Sequence, residues 1–187
     1  LRYVPGINMV QDQISIRGSS GYSRGAGSRV LLALDGIPFY TGDTGETGLS
    51  GIPNSLIDRI EIIKGAASSL YGSGAIGGVI NVITNEPTEI SSTYIKTFFG
   101  AYDKPHFSEW DWSDGYRTFN GLTISHSNKI ENFGFNVSVT RLEDLSYKQS
   151  GFSKKYNAFL KSTYDLTPAS SLNLLVNIFS KRSGNFV

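Results

Sequence analysis

The sequence contains no cysteine, which excludes a disulfide scaffold and any thiolate metal site. Charge is also scarce: 18% of the residues are charged, against roughly 25% in ordinary soluble domains. The net charge of +1 argues against a dedicated nucleic-acid binder. Hydrophobic runs are short, because the longest, Val30–Leu34, is far below the ~20 residues that a membrane-spanning helix needs. Residues 1–5 show neither the basic region nor the apolar core of a signal peptide.

Glycine and aromatic residues are divided unequally between the two halves. Residues 1–90 hold 15 of the 21 glycines but only 5 of the 23 aromatic residues, and the change falls in the polar stretch Thr84–Glu89. Such a shift predicts two architectures in one mostly β chain. We place a globular α+β domain at residues 1–85, a linker at 86–92 and a second β domain at 93–187.

In the second half, apolar and polar residues alternate with a period of two, which is typical of β-strands with one apolar face. The pattern predicts about five antiparallel strands, most of them about 9–12 residues long, near the ~9–11 residues of a tilted transmembrane strand. The strands are expected at these places: Tyr94–Gly100, Tyr116–Ser127, Phe133–Thr140, Tyr156–Tyr164 and Leu172–Lys181.

The predicted connections alternate between long and short. Gly100 to Gly115 and Glu143 to Ser153 are long, whereas the other two connections are short. Outer-membrane barrels have long extracellular loops and short periplasmic turns. Tyrosines at strand ends (Tyr94, Tyr156 and Tyr164) suit an interfacial girdle. A soluble antiparallel sandwich also alternates, so this pattern leaves both architectures open.

The first half reads as short strands and turns. Strands are expected at Ile14–Gly18, Val30–Leu34, Ile60–Gly65 and Gly77–Thr84, with one helical turn at Ala66–Tyr71. The run Gly72-Ser73-Gly74-Ala75-Ile76-Gly77 matches G-x-G-x-x-G, the dinucleotide-binding pattern. That pattern requires a helix to follow, and the β-branched sequence that follows favours a strand. A nucleotide site is therefore not expected.

Together these motifs resemble the plug domain of TonB-dependent outer-membrane transporters. The resemblance rests on the following runs: Val4-Pro5-Gly6-Ile7, Ile14-Ser15-Ile16-Arg17-Gly18, Leu34-Asp35-Gly36-Ile37-Pro38, Ile57-Asp58-Arg59-Ile60-Glu61-Ile62-Ile63-Lys64-Gly65 and Ser69-Leu70-Tyr71-Gly72-Ser73-Gly74-Ala75-Ile76-Gly77-Gly78-Val79-Ile80-Asn81. It implies a plug followed by the first strands of a transmembrane β-barrel of about 22 strands. The family's TonB box and the rest of the barrel are absent, so we expect a fragment of a larger protein.

By resemblance, the protein is a bacterial outer-membrane receptor and not an enzyme. Its expected activity is active import of a scarce nutrient (ferric siderophore, haem, cobalamin or glycan), driven by the TonB–ExbB–ExbD complex. The expected partners are that complex, a small-molecule ligand, outer-membrane lipid and, in some relatives, a surface lipoprotein; no nucleic acid and no cofactor are implied. A ligand-sensing receptor of the same family is the alternative, and an N-terminal extension would distinguish it. A soluble β-sandwich protein is the third hypothesis.

In related proteins, loops of the plug contact the substrate. Carried over to this sequence, the candidate ligand-binding residues are Gln11, Asp12, Tyr22, Ser23, Arg24, Tyr40, Thr41, Asp43 and Glu46. Any of them could equally be an ordinary solvated loop residue. The resemblance also gives Arg17 and Arg59 a role in a plug–barrel lock, paired with acids on the barrel wall, with Glu61 and Lys64 as further members.

Catalytic and metal sites have little support in the sequence. His106 and His126 lack a neighbouring Ser–Asp arrangement. The run Asp111–Gly115 offers oxygen ligands for weak Ca²⁺ binding, but its spacing does not match an EF-hand. A solvated acidic loop is the preferred interpretation, so no metal residue is assigned.

Overall fold

The structure, a computed structural model, describes residues 4–10, 13–18, 29–39, 49–113 and 115–184. The chain divides into two compact units. The first comprises Leu1–Ile52 and Ile57–Asn85, and the second comprises Pro53–Leu56 and Glu86–Val187. In the described part of the chain, no helix has the length and apolar character needed to cross a membrane.

The first unit contains a two-stranded hairpin and a four-stranded mixed sheet. The hairpin pairs β1 with β2, and the sheet has the order β4-β3-β6-β5. The elements are β1 (Ile7–Val10), β2 (Gln13–Ile16), β3 (Val30–Leu34), β4 (Ile37–Pro38), β5 (Ile57–Lys64), α1 (Ser68–Tyr71) and β6 (Gly78–Thr84). The strands β2, β3, β5 and β6 and the helical turn α1 match the sequence expectations to within a few residues, whereas β1 and β4 were not predicted.

The core of this unit lies around β3 and β6, which pair in parallel. Every residue of β3 is buried, and β6 is buried at all but one position. A strand covered on both faces reads as a continuous apolar run, which is why VLLAL and GVINVIT show no alternation. The turn α1 packs Tyr71 against the cluster formed by Leu31, Ala33, Ala67, Ala75 and Val79.

The glycine-rich run Gly72–Gly77, which resembles a nucleotide-binding loop, is followed by a strand, as the β-branched sequence after it predicts. Gly78 begins β6 with φ +141°, a conformation that side chains rarely adopt. A Cβ at this position would lie 2.5 Å from the carbonyl oxygen of Ile63 on the neighbouring strand. Glycine at position 78 therefore allows β5 and β6 to approach closely. No helix follows the run to hold a phosphate.

Asp35, in the turn after β3, ties that turn to the end of β6. Its carboxylate accepts hydrogen bonds from the Thr84 backbone N–H at 2.8 Å and from the Thr84 hydroxyl at 2.6 Å. The backbone N–H of Asp35 donates to the Val82 carbonyl, and that of Gly36 donates to Asn81 Oδ1. Asp35 also has φ +49°, which aspartate tolerates better than most residues. One acidic residue thus fixes both the turn and the strand end.

We expect Asp35→Ala to lower the unfolding free energy of this sheet by about 2–4 kcal/mol, because two hydrogen bonds to a charged group are lost. Amide hydrogen exchange of residues 30–34 and 78–84 in the full-length protein measures the change. Asp58→Ala is the control, since Asp58 is half-exposed and pairs on the surface. Unchanged protection in Asp35→Ala would contradict this role.

The second unit is a five-stranded antiparallel sheet in sequential order. Four of the strands include one that the alternation predicts and are longer because they continue past the apolar centre into polar ends; β8 begins two residues later and ends three residues later than the predicted strand Tyr116–Ser127. The strands are β7 (Ser92–Ala101), β8 (Thr118–Ile130), β9 (Phe133–Asp144), β10 (Phe152–Thr167) and β11 (Ser170–Gly184). The short connections are the two-residue turns Glu131–Asn132 and Pro168–Ala169. The long ones are residues 102–117 and 145–151.

The two faces of this sheet differ in polarity. One face carries exposed apolar side chains and is here called the apolar face; its members include Ile95, Leu122, Ile124, Val137, Val139, Leu172, Leu174, Val176 and Ile178. The other face, the polar face, has buried polar side chains: Ser125, Asn136, Ser138, Asn157 and Lys161. An outward apolar and inward polar face is the arrangement of a membrane barrel, and it is opposite to a soluble sandwich.

The tyrosine girdle needs one correction. Tyr156 and Tyr164 pair with Arg141 and Phe133 on the apolar face, at the two ends of its apolar stretch. Tyr94 instead pairs directly with Ser125, so it lies on the polar face and cannot join an interfacial girdle. The period of two decides this: Tyr94 stands one residue out of phase with the outward-facing Ile95.

Candidate functional site

A concave feature lies in the second unit, between the first long loop (residues 102–117) and the second (residues 145–151). This aromatic cleft has a volume of about 410 Å³, within the ~300–1,000 Å³ range of ligand sites. Its lining consists of Tyr102, Asp103, Lys104, Pro105, Trp110, Asp111, Trp112, Ser113, Gly115, Tyr116, Arg117 and Tyr147. Most of the apolar area therefore comes from rings, several of which are exposed to solvent.

Arg117 joins the two loops that form the cleft. Its guanidinium donates hydrogen bonds to the backbone carbonyls of Leu145, Ser146 and Gly151 in the second loop. The same group lies 4.8 Å from the centre of the Trp112 ring in the first loop, a cation–π contact. The planar fork of arginine suits this task, because it can serve several acceptors while its face stacks on a ring.

Trp112 and Tyr102 are held in fixed orientations. The indole N–H of Trp112 donates to the Tyr147 carbonyl at 3.1 Å. The Tyr102 hydroxyl donates to the Asp144 carboxylate at 3.0 Å, and its ring lies against Phe119 and Tyr147. Loss of hydration, together with the hydrogen bond to Asp144, raises the pKa of Tyr102. The phenol therefore stays protonated and keeps donating at neutral pH.

Two charged residues of the cleft, Lys104 and Asp111, pair with each other. Lys104 Nζ lies 3.0 Å from Asp111 Oδ2, and this hydrogen bond lowers the pKa of Asp111. The counter-ion of Asp111 is therefore the ammonium group of Lys104. Ser113 lies in the run Asp111–Gly115, which was considered above for weak Ca²⁺ binding. Its hydroxyl donates a hydrogen bond to the carbonyl of Gly115. Among the described residues, no group of three or more acidic or histidine side chains is placed to hold a metal ion.

The polar face of the sheet is covered by two short segments of the same unit. Ser55, in the 3-10 turn Asn54–Leu56, bonds through its hydroxyl to Ser125 at 2.8 Å, and Ser125 continues to Ser138 at 3.2 Å. Glu86 accepts a 2.7 Å hydrogen bond from the buried ammonium of Lys161. The segment that follows the first unit is therefore anchored to the polar face by the charge pair Lys161–Glu86.

The predicted ligand-binding residues fall outside the described residues. This holds for all of them: Gln11, Asp12, Tyr22, Ser23, Arg24, Tyr40, Thr41, Asp43 and Glu46. The sequence analysis did not assign the aromatic cleft or the pair Lys161–Glu86. The signal for the cleft was the density of Tyr and Trp between residues 102 and 117, inside a segment that otherwise reads as a loop. Lys161 gave no signal, because an isolated lysine in a strand looks like any solvated charge.

The proposed lock residues all lie on the first unit. Arg17 follows β2 in a turn with φ +52° and is exposed. Arg59, on the edge strand β5, is 58% exposed and pairs with Asp58 at 2.9 Å and with Glu61 at 3.0 Å. These two hydrogen bonds raise the pKa of Arg59. Lys64 donates to the carbonyl of Pro5 at 2.7 Å.

Comparison with known proteins agrees with this architecture. The sequence of residues 1–79 matches the family TonB-dependent Receptor Plug Domain. Residues 1–79 are therefore similar to the plug domain of TonB-dependent receptors. The apolar face of the sheet agrees with the outer-membrane location of proteins that carry this domain.

Solved structures show the same fold along nearly the whole chain. The siderophore receptor PirA from Pseudomonas aeruginosa is 24% identical, with a TM-score of 0.70 over 97% of this chain. The ferric citrate transporter FecA is 17% identical with a TM-score of 0.74 over 98%, and the pyoverdine receptor FpvA from Pseudomonas aeruginosa PAO1 is 21% identical with 0.67 over 94%. The chain spans 30%, 28% and 24% of those proteins, respectively.

We expect Arg117→Ala to open the aromatic cleft, because three loop carbonyls and one indole ring lose their shared partner. Chymotrypsin cleavage in residues 102–117 of the folded full-length receptor should become about 10-fold faster or more. Lys148→Ala is the matched control, since that exposed ammonium lies over the Tyr147 ring at 5.8 Å and joins no loops. Equal cleavage rates for Arg117→Ala and the parent protein would refute the prediction.

Proposed function

We propose that this chain belongs to a receptor that imports a ferric siderophore across the outer membrane with energy from TonB–ExbB–ExbD. The plug domain at residues 1–79 carries this proposal. Support for the substrate class comes from the similar structures, which are named as receptors or transporters for siderophores, ferric citrate and pyoverdine. Haem, cobalamin and glycans are the competing substrates.

The physical task is to close a wide barrel and reopen it during transport. Within the second unit, the hydroxyl pair Ser55–Ser125 can exchange for water at little net cost. The pair Lys161–Glu86 is different, because Lys161 is buried and its charge is expensive to leave without a partner. We therefore propose that Glu86 anchors the segment after the plug domain to the sheet of the second unit.

The aromatic cleft supports the ligand side of the proposal. It lies among the long loops, which face outward in outer-membrane barrels. Its rings offer flat apolar area, and the phenol of Tyr102 and the indole of Trp112 are already oriented by hydrogen bonds. We propose that a ligand meets this cleft first and afterwards the plug residues named in the sequence analysis.

Binding to a ligand panel tests the substrate class. We expect the full-length receptor, purified in detergent, to bind one class of ferric siderophore with nanomolar affinity and to bind haem, cobalamin and oligosaccharides at least about 100-fold more weakly. Calorimetry measures both. Nanomolar binding of cobalamin or an oligosaccharide alone would overturn the substrate class. Absence of binding to every member would count against import itself.

The lock of Arg17 and Arg59 remains a proposal and has its own test. Arg59, on the edge strand β5, donates to two carboxylates through Nε and Nη1. Its third nitrogen, Nη2, can donate to a further acceptor. We expect Arg17→Ala and Arg59→Ala in the full-length receptor to release the plug at lower urea, because the partner acids lose their cations. Protease sensitivity of the plug against urea concentration measures it.

Arg59→Lys is the control for that experiment, because it keeps the charge and loses the two-pronged geometry. We expect it to fall between the parent receptor and Arg59→Ala. If both alanine variants match the parent in urea resistance and in uptake, no such lock exists.

A further inference from the structure

The chain that enters β7 first crosses the polar face of the five-stranded sheet. Residues 86–91, here called the strap, connect the end of the first unit to β7. Glu86 contacts Lys161 on β10. Pro87 lies against Gly134 on β9, and the chain then continues to β7. Because the sheet has the order β10-β9-β8-β7, the strap runs across the strands in that order and ends where β7 begins.

The first contact of the strap is a charge pair. Glu86 accepts a hydrogen bond of 2.7 Å from Lys161 Nζ, and the side chain of Lys161 is only 8% exposed. A buried ammonium is costly to separate from its carboxylate, because the charge has left bulk water. Lifting this end of the strap from β10 is therefore opposed more strongly than opening an exposed surface pair such as Arg59–Asp58.

The second contact depends on a glycine. A Cβ at position 134 would lie 2.8 Å from Pro87 Cβ and 3.0 Å from Pro87 Cγ. Carbon atoms that are not bonded prefer separations of about 3.5–4.0 Å, and the ring of proline is rigid. Gly134 therefore leaves a gap in the row of side chains on β9, and the ring of Pro87 occupies it.

Lys129 on β8 uses the same gap. Its Nζ lies 2.9 Å from Asp165 Oδ2 on β10, although β9 runs between these two strands. Lys129 Cγ is 3.6 Å from the place where a Cβ of Gly134 would lie, so the lysine side chain crosses β9 at the glycine. Glu89 of the strap is close enough to act electrostatically on Lys129. The strap therefore interacts with β10, β9 and β8 before the chain becomes β7.

This order along the chain has a mechanical consequence. In the described sheet, β7 pairs with β8 and with no other strand. Tension on Ser92, the first residue of β7, would load that ladder from one end, where backbone hydrogen bonds break one at a time and each contributes little. Tension from the N-terminal side reaches Glu86 and Pro87 first, so the strap resists it before β7 does.

We propose that the strap is a clamp that protects β7 from tension along the chain. The pair Glu86–Lys161 bears the tension, and Pro87 in the gap at Gly134 keeps the strap from sliding across the sheet. The clamp rests on the proposed function, because a receptor driven by TonB is one that is pulled along its chain. It adds to that function a boundary at residue 86, after which the chain stays in place.

Hydrogen exchange tests whether the strap is held on the sheet. In the full-length receptor in detergent, we expect Glu86→Gln to raise the exchange rate of the amides of residues 88–91 about 10-fold or more, because a buried ammonium loses its carboxylate. Gly134→Ala should raise the rate as well, since the added methyl group displaces Pro87. Heat-modifiable migration shows whether each variant is folded.

The same strand supplies a matched control. Lys155→Gln removes a lysine charge from the polar face of β10, about 20 Å along the strand from Lys161. We expect it to leave the exchange rate of residues 88–91 at the value of the parent receptor. An equal rise in this control, or unchanged exchange in Glu86→Gln and Gly134→Ala, would overturn the clamp.

Mechanical unfolding tests whether the strap bears tension. The probe is a cantilever attached to the N-terminus of the full-length receptor in a lipid bilayer, and no ligand is needed. We expect the parent receptor to give a force peak once the chain up to Glu86 is extended, before β7 is extracted. In the double variant Glu86→Gln/Gly134→Ala this peak should be lost, and the next should appear at Ser92, after about 20 Å more of extended chain.

The outcomes of the force measurement separate the clamp from the proposed function. The clamp is overturned if the parent shows no peak before extraction of β7, or if the peak survives in the double variant. The reversed pair Glu86→Lys/Lys161→Glu should restore the peak; its absence there would overturn the role of this charge pair. A receptor that binds no siderophore refutes the proposed function, whereas the force peak is measured without any ligand, so the two failures are distinguishable.

Discussion

The strict alternation of side chains in the five-stranded sheet is the constraint on which most other features depend. Each strand places successive residues in opposite environments, so one face must satisfy an apolar medium and the other a polar one. This explains why Asn136 and Ser138 are buried while Val137 and Val139 are exposed. A soluble protein would reverse that pattern. The hydrogen-bond ladders satisfy the backbone, which leaves side-chain polarity to define the two faces.

The polar face carries two kinds of contact within the second unit. A chain of hydroxyls joins Ser55 to Ser125 and Ser138, and the buried ammonium of Lys161 pairs with Glu86. Loss of a hydroxyl contact costs little, whereas a buried charge that loses its partner costs much more. The first unit follows a different rule: its core is a parallel pair of buried strands, and Asp35 secures the turn beside them.

The loops add recognition without changing the wall. Arg117 spans both long loops through backbone carbonyls and the Trp112 ring, so the aromatic cleft has a defined shape before any ligand arrives. Preorganisation of this kind reduces the ordering cost of binding. The two-residue period also places Lys154 on the apolar face and its neighbour Lys155 on the polar face.

Most of the strands and the family resemblance could be predicted from the amino-acid sequence, because period, glycine placement and turn residues are local properties. Tyr94 shows the limit: its place at a strand end was predictable, but its face depended on the register with Ser125. Only the tertiary structure brought Lys161 to Glu86, 75 residues apart along the chain, and Lys154 opposite Arg182. Such pairings depend on which strands become neighbours and in what register, and no local pattern encodes that information.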